Sequence, residues 1–169
     1  ENGFFGWNIT ARKKNNDLLV GGYNGYGNLG TGTTTAPVGL AIVPRPGGSQ
    51  RTVEKAFSMG GGGQYDTTWL ELDNGQLMTA GNPLYNFSPE NGSAAARTTF
   101  QLARCPWIGR SRVKHFLRAG IGYLMTTVQL ENGEVWTKGD RLWNPLLWPK
   151  GNSRYYYYDS SAGISWAGV

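Results

Sequence analysis

Cysteine and histidine are almost missing from this chain: its 169 residues contain one of each, Cys105 and His115. A single cysteine excludes an intrachain disulfide framework. A single histidine also argues against a tetrahedral zinc site. A Ser–His–Asp triad would have to use His115, which lies in an apolar and basic strand-like run with no placed nucleophile. Charge is also sparse, at 16% of residues. No apolar run reaches the roughly 18 residues of a membrane-spanning helix, and no basic-then-apolar signal opens the chain, so no membrane insertion is expected. The first residue is Glu1 rather than Met, which points to a processed chain or a fragment of a longer one.

What the chain has in abundance is glycine, 26 residues, together with 13% aromatics. Glycine costs about 1 kcal/mol relative to alanine inside a helix, so this composition argues for strands separated by many turns. The stretch "GGYNGYGNLGTGTTT", residues 21–35, is its extreme. No Gly-Lys-Ser/Thr follows it and no helical pattern begins there, which excludes a phosphate-binding loop.

Self-similarity explains it better. "LELDNGQLMTAGN" (70–82) superposes on "VQLENGEVWTKGD" (128–140) at an offset of 58. Upstream, "VEKAFSMG" (53–60) matches "VKHFLRAG" (113–120) at an offset of 60. "KNNDLLVGGYN" (14–24) fits the same template at 59, with Gly22 under Gly81. Each copy reads as an apolar strand, an alternating strand, an Asn-Gly turn expected to be type I′, and a returning strand. Antiparallel strands at this density are what a propeller blade contains. The fold expected is therefore all-β: three propeller-blade-like antiparallel repeats of about 59 residues, approximately 1–48, 49–108 and 109–169, forming an incomplete ring in one chain.

This pattern resembles the repeats of the regulator-of-chromosome-condensation family. Gly22, Asn24, Gly27, Leu29 and Gly30, followed by Thr33–Thr35 and Pro37, match the Asn/Gly-rich half of that repeat, with Asn28 where Gln is usual. "EVWTKGD" (134–140) matches the preceding half, whereas copies two and three replace the glycine-rich half by "NPLYNFS" and "DRLWNPL". The resemblance implies a blade connection for residues 21–35. It also implies a ring of seven blades, which three copies cannot close. The chain is then part of a longer propeller, associates with its own copies, or packs its sheets in another way.

Three groups of residues are candidates for chemistry. Asp73 and Glu131 are a potential carboxylate pair, but both sit beside Asn-Gly turns, which explain them without catalysis. Arg110, Arg112, Lys114 and Arg118 would share one face if 110–118 were extended, and with a net charge of +5 they are a possible anion-binding surface. Copy two has Gln50, Thr52, Glu54 and Ser58 there, so the blade itself does not demand the charge. Trp143, Trp148, Tyr155, Tyr156, Tyr157 and Tyr158 form an aromatic segment suited to sugars or protein partners, or alternatively a strand and a cap on the last blade. Sequons at Asn8, Asn86 and Asn91 arise easily in so Asn- and Thr-rich a chain.

The expected function is binding without catalysis and without a cofactor. The repeats resemble those of phage tail fibres, which implies a receptor-recognising virion module, homotrimeric, engaging a host cell-surface glycan or protein. The alternative is a cytoplasmic propeller-repeat regulator that binds a protein partner or nucleic acid. A polysaccharide-degrading virion domain is a second alternative.

Overall fold

The computed structural model describes residues 3–5, 8–59, 67–81, 97–103, 107, 109–117, 126–138 and 167–168. They form twelve strands in three four-stranded antiparallel sheets, each a simple meander. The first sheet runs β1 (Gly3–Phe5), β2 (Asn8–Arg12), β3 (Leu18–Gly22), β4 (Ala41–Val43). The second runs β5 (Val53–Met59), β6 (Thr67–Leu72), β7 (Leu77–Gly81), β8 (Arg97–Ala103). The third runs β9 (Val113–Leu117), β10 (Thr126–Leu130), β11 (Val135–Lys138), β12 (Ala167–Gly168). This is the all-β, three-blade architecture expected from the repeat.

The hairpin between the second and third strands is the same in every sheet, though it is not type I′. Leu72 N–H donates to the Gln76 carbonyl and Gly75 N–H to that of Leu72, at 2.8 Å each. Leu130 with Glu134, and Lys13 with Asp17, repeat the arrangement. Only the third loop residue is left-handed: Gly75 at φ 80°, Gly133 at 88° and Asn16 at 71°. A type I′ turn needs positive φ at both central residues, so these are three-residue loops closed by a left-handed bulge residue. The asparagine before it accepts from the backbone two residues on, as Asn15 does from Asp17, Asn74 from Gln76 and Asn132 from Glu134. That local bond is why Asn recurs there.

Bulges repeat as well. Val53 and Lys55 pair with Leu72 and Glu71, leaving Glu54 as an extra residue; Val113 and His115 pair with Leu130 and Gln129, leaving Lys114. Both lie at the same place in their blades.

Stacking supplies the core. Leu18, Val20, Leu29 and Val43 of the first blade pack against Val53, Leu70, Leu72, Met78, Ala80 and Phe100 of the second. The opposite face of the second sheet, with Trp69 and Leu77, meets Trp107, Val113, Val128 and Leu130. Phe116 lies 4.5 Å from Phe57 and 5.5 Å from Trp69 between ring centroids, joining the second and third sheets. Every residue of β6 and β7 is buried, because that sheet is covered on both faces.

The glycine-rich stretch is a built connection. Asn24, fully buried, donates through Nδ2 to Thr31 Oγ1 (3.2 Å) and to the carbonyls of Thr33 (3.0 Å) and Thr35 (2.9 Å). Its Oδ1 accepts from Leu29 N–H at 2.9 Å. The loop then docks on the second blade, where Gly32 N–H donates to the Thr98 carbonyl at 2.7 Å. Gly27, at φ 73°, approaches so closely that an added Cβ would lie 2.7 Å from Thr98 Cα.

Candidate functional site

Among the described residues, Arg110, Arg112 and Lys114 do not lie along one regular extended strand. Strand β9 begins only at Val113, and Arg110 belongs to the preceding turn, its N–H bonded to the Trp107 carbonyl at 2.9 Å. Its guanidinium carbon stands 5.8 Å from the centroid of the Trp136 ring, a cation–π distance. Trp136 in turn lies 5.8 Å from the buried Trp107 and donates through Nε1 to Glu134 at 2.9 Å. Lys114, the bulged residue, is exposed. Arg118, Trp143, Trp148, Tyr155, Tyr156, Tyr157 and Tyr158 lie outside the described residues.

Arg112 is committed elsewhere. Its Nη2 pairs with Glu54 at 2.7 Å and its Nε with Glu71 at 3.2 Å, and it also donates to the carbonyls of Leu72 and Asp73. Glu71 is wholly buried on the face of the second sheet turned to the third. Its Oε1 also accepts the Val113 N–H at 2.9 Å, and its Oε2 lies 3.3 Å from Lys55 Nζ. Lys55 donates to the Val113 carbonyl and reaches Glu131 at 3.2 Å. Side chains of blade two thus satisfy both backbone polar groups of the first residue of β9. Burial on its own would lower the Arg112 pKa, but hydrogen bonds and charge from Glu54 and Glu71 outweigh it and the net shift is upward. The charge that copy two lacks at Thr52 is required by the junction between blades two and three.

The two carboxylates weighed as a catalytic pair are held at turns, Asp73 3.6 Å from Arg51 and Glu131 by Lys55. His115 is exposed on β9.

A surface that the sequence reading missed lies on the free face of the first sheet. Val38, Leu40 and Ile42 are exposed at alternate positions leading into and along β4, and Ile9 on β2 is exposed too. Leu19 pairs with Ile42, and Ile9 with Gly21. Leu40 covers Gly21, its Cδ2 being 2.8 Å from where a Cβ would stand there. The alternation of "VGLAIV" (38–43) was the available signal.

The geometry defines a class: stacked four-stranded blades of the propeller type, in an arc that does not close into a ring. Among solved structures the chain is similar to those of regulator-of-chromosome-condensation-type propellers, which shows the fold. Yeast RCC1 (Prp20) in its complex with Kap60 matches over 98% of this chain at TM-score 0.64 and 14% identity. Prp20p from Saccharomyces cerevisiae, in a structure described with its binding to Gsp1p and histones, matches 83% at TM-score 0.59 and 14% identity. Human WBSCR16 matches 83% at TM-score 0.59 and 12% identity. The chain spans about a third of the length of these structures, 32% to 36%. No family model and no curated protein matches it.

Proposed function

We propose that this chain is a non-catalytic module that binds a protein partner, in the manner of propeller-repeat regulators. The observation that carries this reading is the likeness of 98% of the chain to a propeller described in complex with another protein, Kap60. The second yeast structure is likewise described by its binding to Gsp1p and histones. The likeness supports the regulator alternative better than the virion one. The exposed row Val38, Leu40 and Ile42 supplies a contact surface, since contiguous exposed apolar residues mark interaction sites.

The test is cross-linking of the intact chain in its native extract, then titration with the purified partner so identified. Replacing Leu40 and Ile42 by Lys is expected to weaken binding at least about tenfold, while Tm stays within a few degrees because both residues are exposed. Unchanged affinity in the folded double variant would remove that surface. No saturable partner would remove the reading itself. Saturable binding to intact bacteria would move the chain to the virion-fibre setting, and oligosaccharide released from capsular polysaccharide would make it an enzyme.

A further inference from the structure

At the end of the second blade remote from the Asp73–Gly75 hairpin, three buried hydrogen-bonding side chains surround a residue with no side chain. Thr67 on β6 and Arg97 on β8 are the direct cross-strand partners of Gly81 on β7. Direct partners project from the same face of a sheet. Thr79, two residues before Gly81 and opposite Trp69, shares that face. It is the face turned toward the third sheet, as the packing of Trp69 and Leu77 shows. Exposure is 2% for Thr67, 2% for Thr79 and 8% for Arg97. Thr67 Oγ1, Thr79 Oγ1 and Arg97 Nη1 all lack a hydrogen-bond partner.

A buried cation without a counter-charge is costly, and so is a buried hydroxyl without a partner. Here three such groups lie on one face around Gly81, which contributes no side chain of its own. Burial lowers the Arg97 pKa, and no acidic neighbour among the described residues opposes it. A guanidinium nonetheless stays protonated in proteins, so the group remains a cation. Glu71 shares this face but stands four residues from Thr67 along β6, roughly 13 Å at strand rise. It is already occupied by Arg112 and Lys55.

We infer that Thr67, Thr79 and Arg97 form a site for a single oxyanion group, a carboxylate or a phosphate, seated over Gly81. Arg97 supplies the charge and a donor edge, and the two hydroxyls donate from the other strands. The site needs no protein partner and stands independently of the function proposed above. It is separate from Arg110, Arg112 and Lys114, the residues that the sequence suggested for anions.

The experiment is thermal unfolding of the intact chain titrated with inorganic phosphate, with acetate, and with chloride at matched ionic strength. The expected result is a saturable rise in Tm over chloride, about 5–10 °C at a hundredfold excess over Kd. A response to phosphate alone assigns a phosphoryl ligand, and a response to acetate assigns a carboxylate. Arg97→Met is expected to abolish the rise while raising Tm in chloride, because it removes an unpaired buried charge. Thr79→Val, nearly isosteric, should fold normally and weaken the anion response several-fold; it decides the matter if Arg97→Met does not fold. Absence of any saturable rise in the unaltered chain, or an undiminished rise in these variants, overturns the site.

Discussion

At the scale of single residues, the third loop position of each hairpin shows how backbone conformation selects side chains. Gly75, Gly133 and Asn16 occupy one left-handed position in three blades. Nothing lies within 4 Å of a Cβ added to Gly133, so Gly133→Ala carries conformational strain alone, about 1 kcal/mol by chemical denaturation. Asn16→Gly is expected to change stability by less than about 0.5 kcal/mol, since glycine accepts the same φ without strain. Gly27→Ala should cost more than Gly133→Ala, about 2–3 kcal/mol, because Thr98 backbone blocks the added methyl as well. Asn24→Ala leaves the Leu29 amide and two threonine carbonyls without their partner. A loss of about 3 kcal/mol is expected, with faster hydrogen exchange at Leu29 as the local readout. The glycines were legible in the sequence. The offset of 59 also sets Asn16 under Gly75, but only the structure shows that a residue with a side chain takes the left-handed conformation there.

Between elements, the junction of blades two and three is held by charge as well as by aromatic packing. Arg112→Ser would leave Glu71 buried with Lys55 as its one remaining cation, a loss of about 3 kcal/mol where a buried pair is broken. Removing both charges while keeping volume, as in Arg112→Met with Glu71→Leu, should destabilise by less than the sum of the single changes. A double-mutant cycle by urea denaturation measures this coupling, expected at about 2 kcal/mol. Additivity would mean that the two side chains stabilise the junction independently. The sequence placed Arg112 on a basic face because it treated 110–118 as one extended run. The turn at Trp107–Arg110 and the bulge at Lys114 break that regularity. Neither is visible in a period-two pattern.

For the molecule as a whole, the faces of the three sheets are not equivalent. Leu70, Met78 and Ala80 pack the second sheet on the first; at the offset of 59 they correspond to Ala11, Leu19 and Gly21, on the first sheet's free face. That face therefore carries an apolar surface of the kind that elsewhere in the chain meets another blade. Light scattering after size exclusion reads whether copies of the chain use it. A monomer is expected, because the face is assigned to a different protein partner; an oligomer that Leu40→Lys with Ile42→Lys dissociates would give it to a second copy instead, since like charges placed on an apolar contact oppose burial. A wild-type mass of 18.5 kDa leaves the face to a different partner.

The sequence by itself determined the strands, the order of the blades and the hairpins. These depend on local conformation: alternation, asparagine bonded to its own backbone, and glycine at positive φ leave marks that repeat every 59 residues or so. Only the tertiary structure decided what the side chains do between blades. Arg112 finds Glu71 across 41 positions, the glycine-rich loop finds Thr98 on the next sheet, and Arg97 is buried beside two threonines from other strands. These meetings are set by which faces of neighbouring strands and blades come together, and no local pattern in the chain encodes that distance.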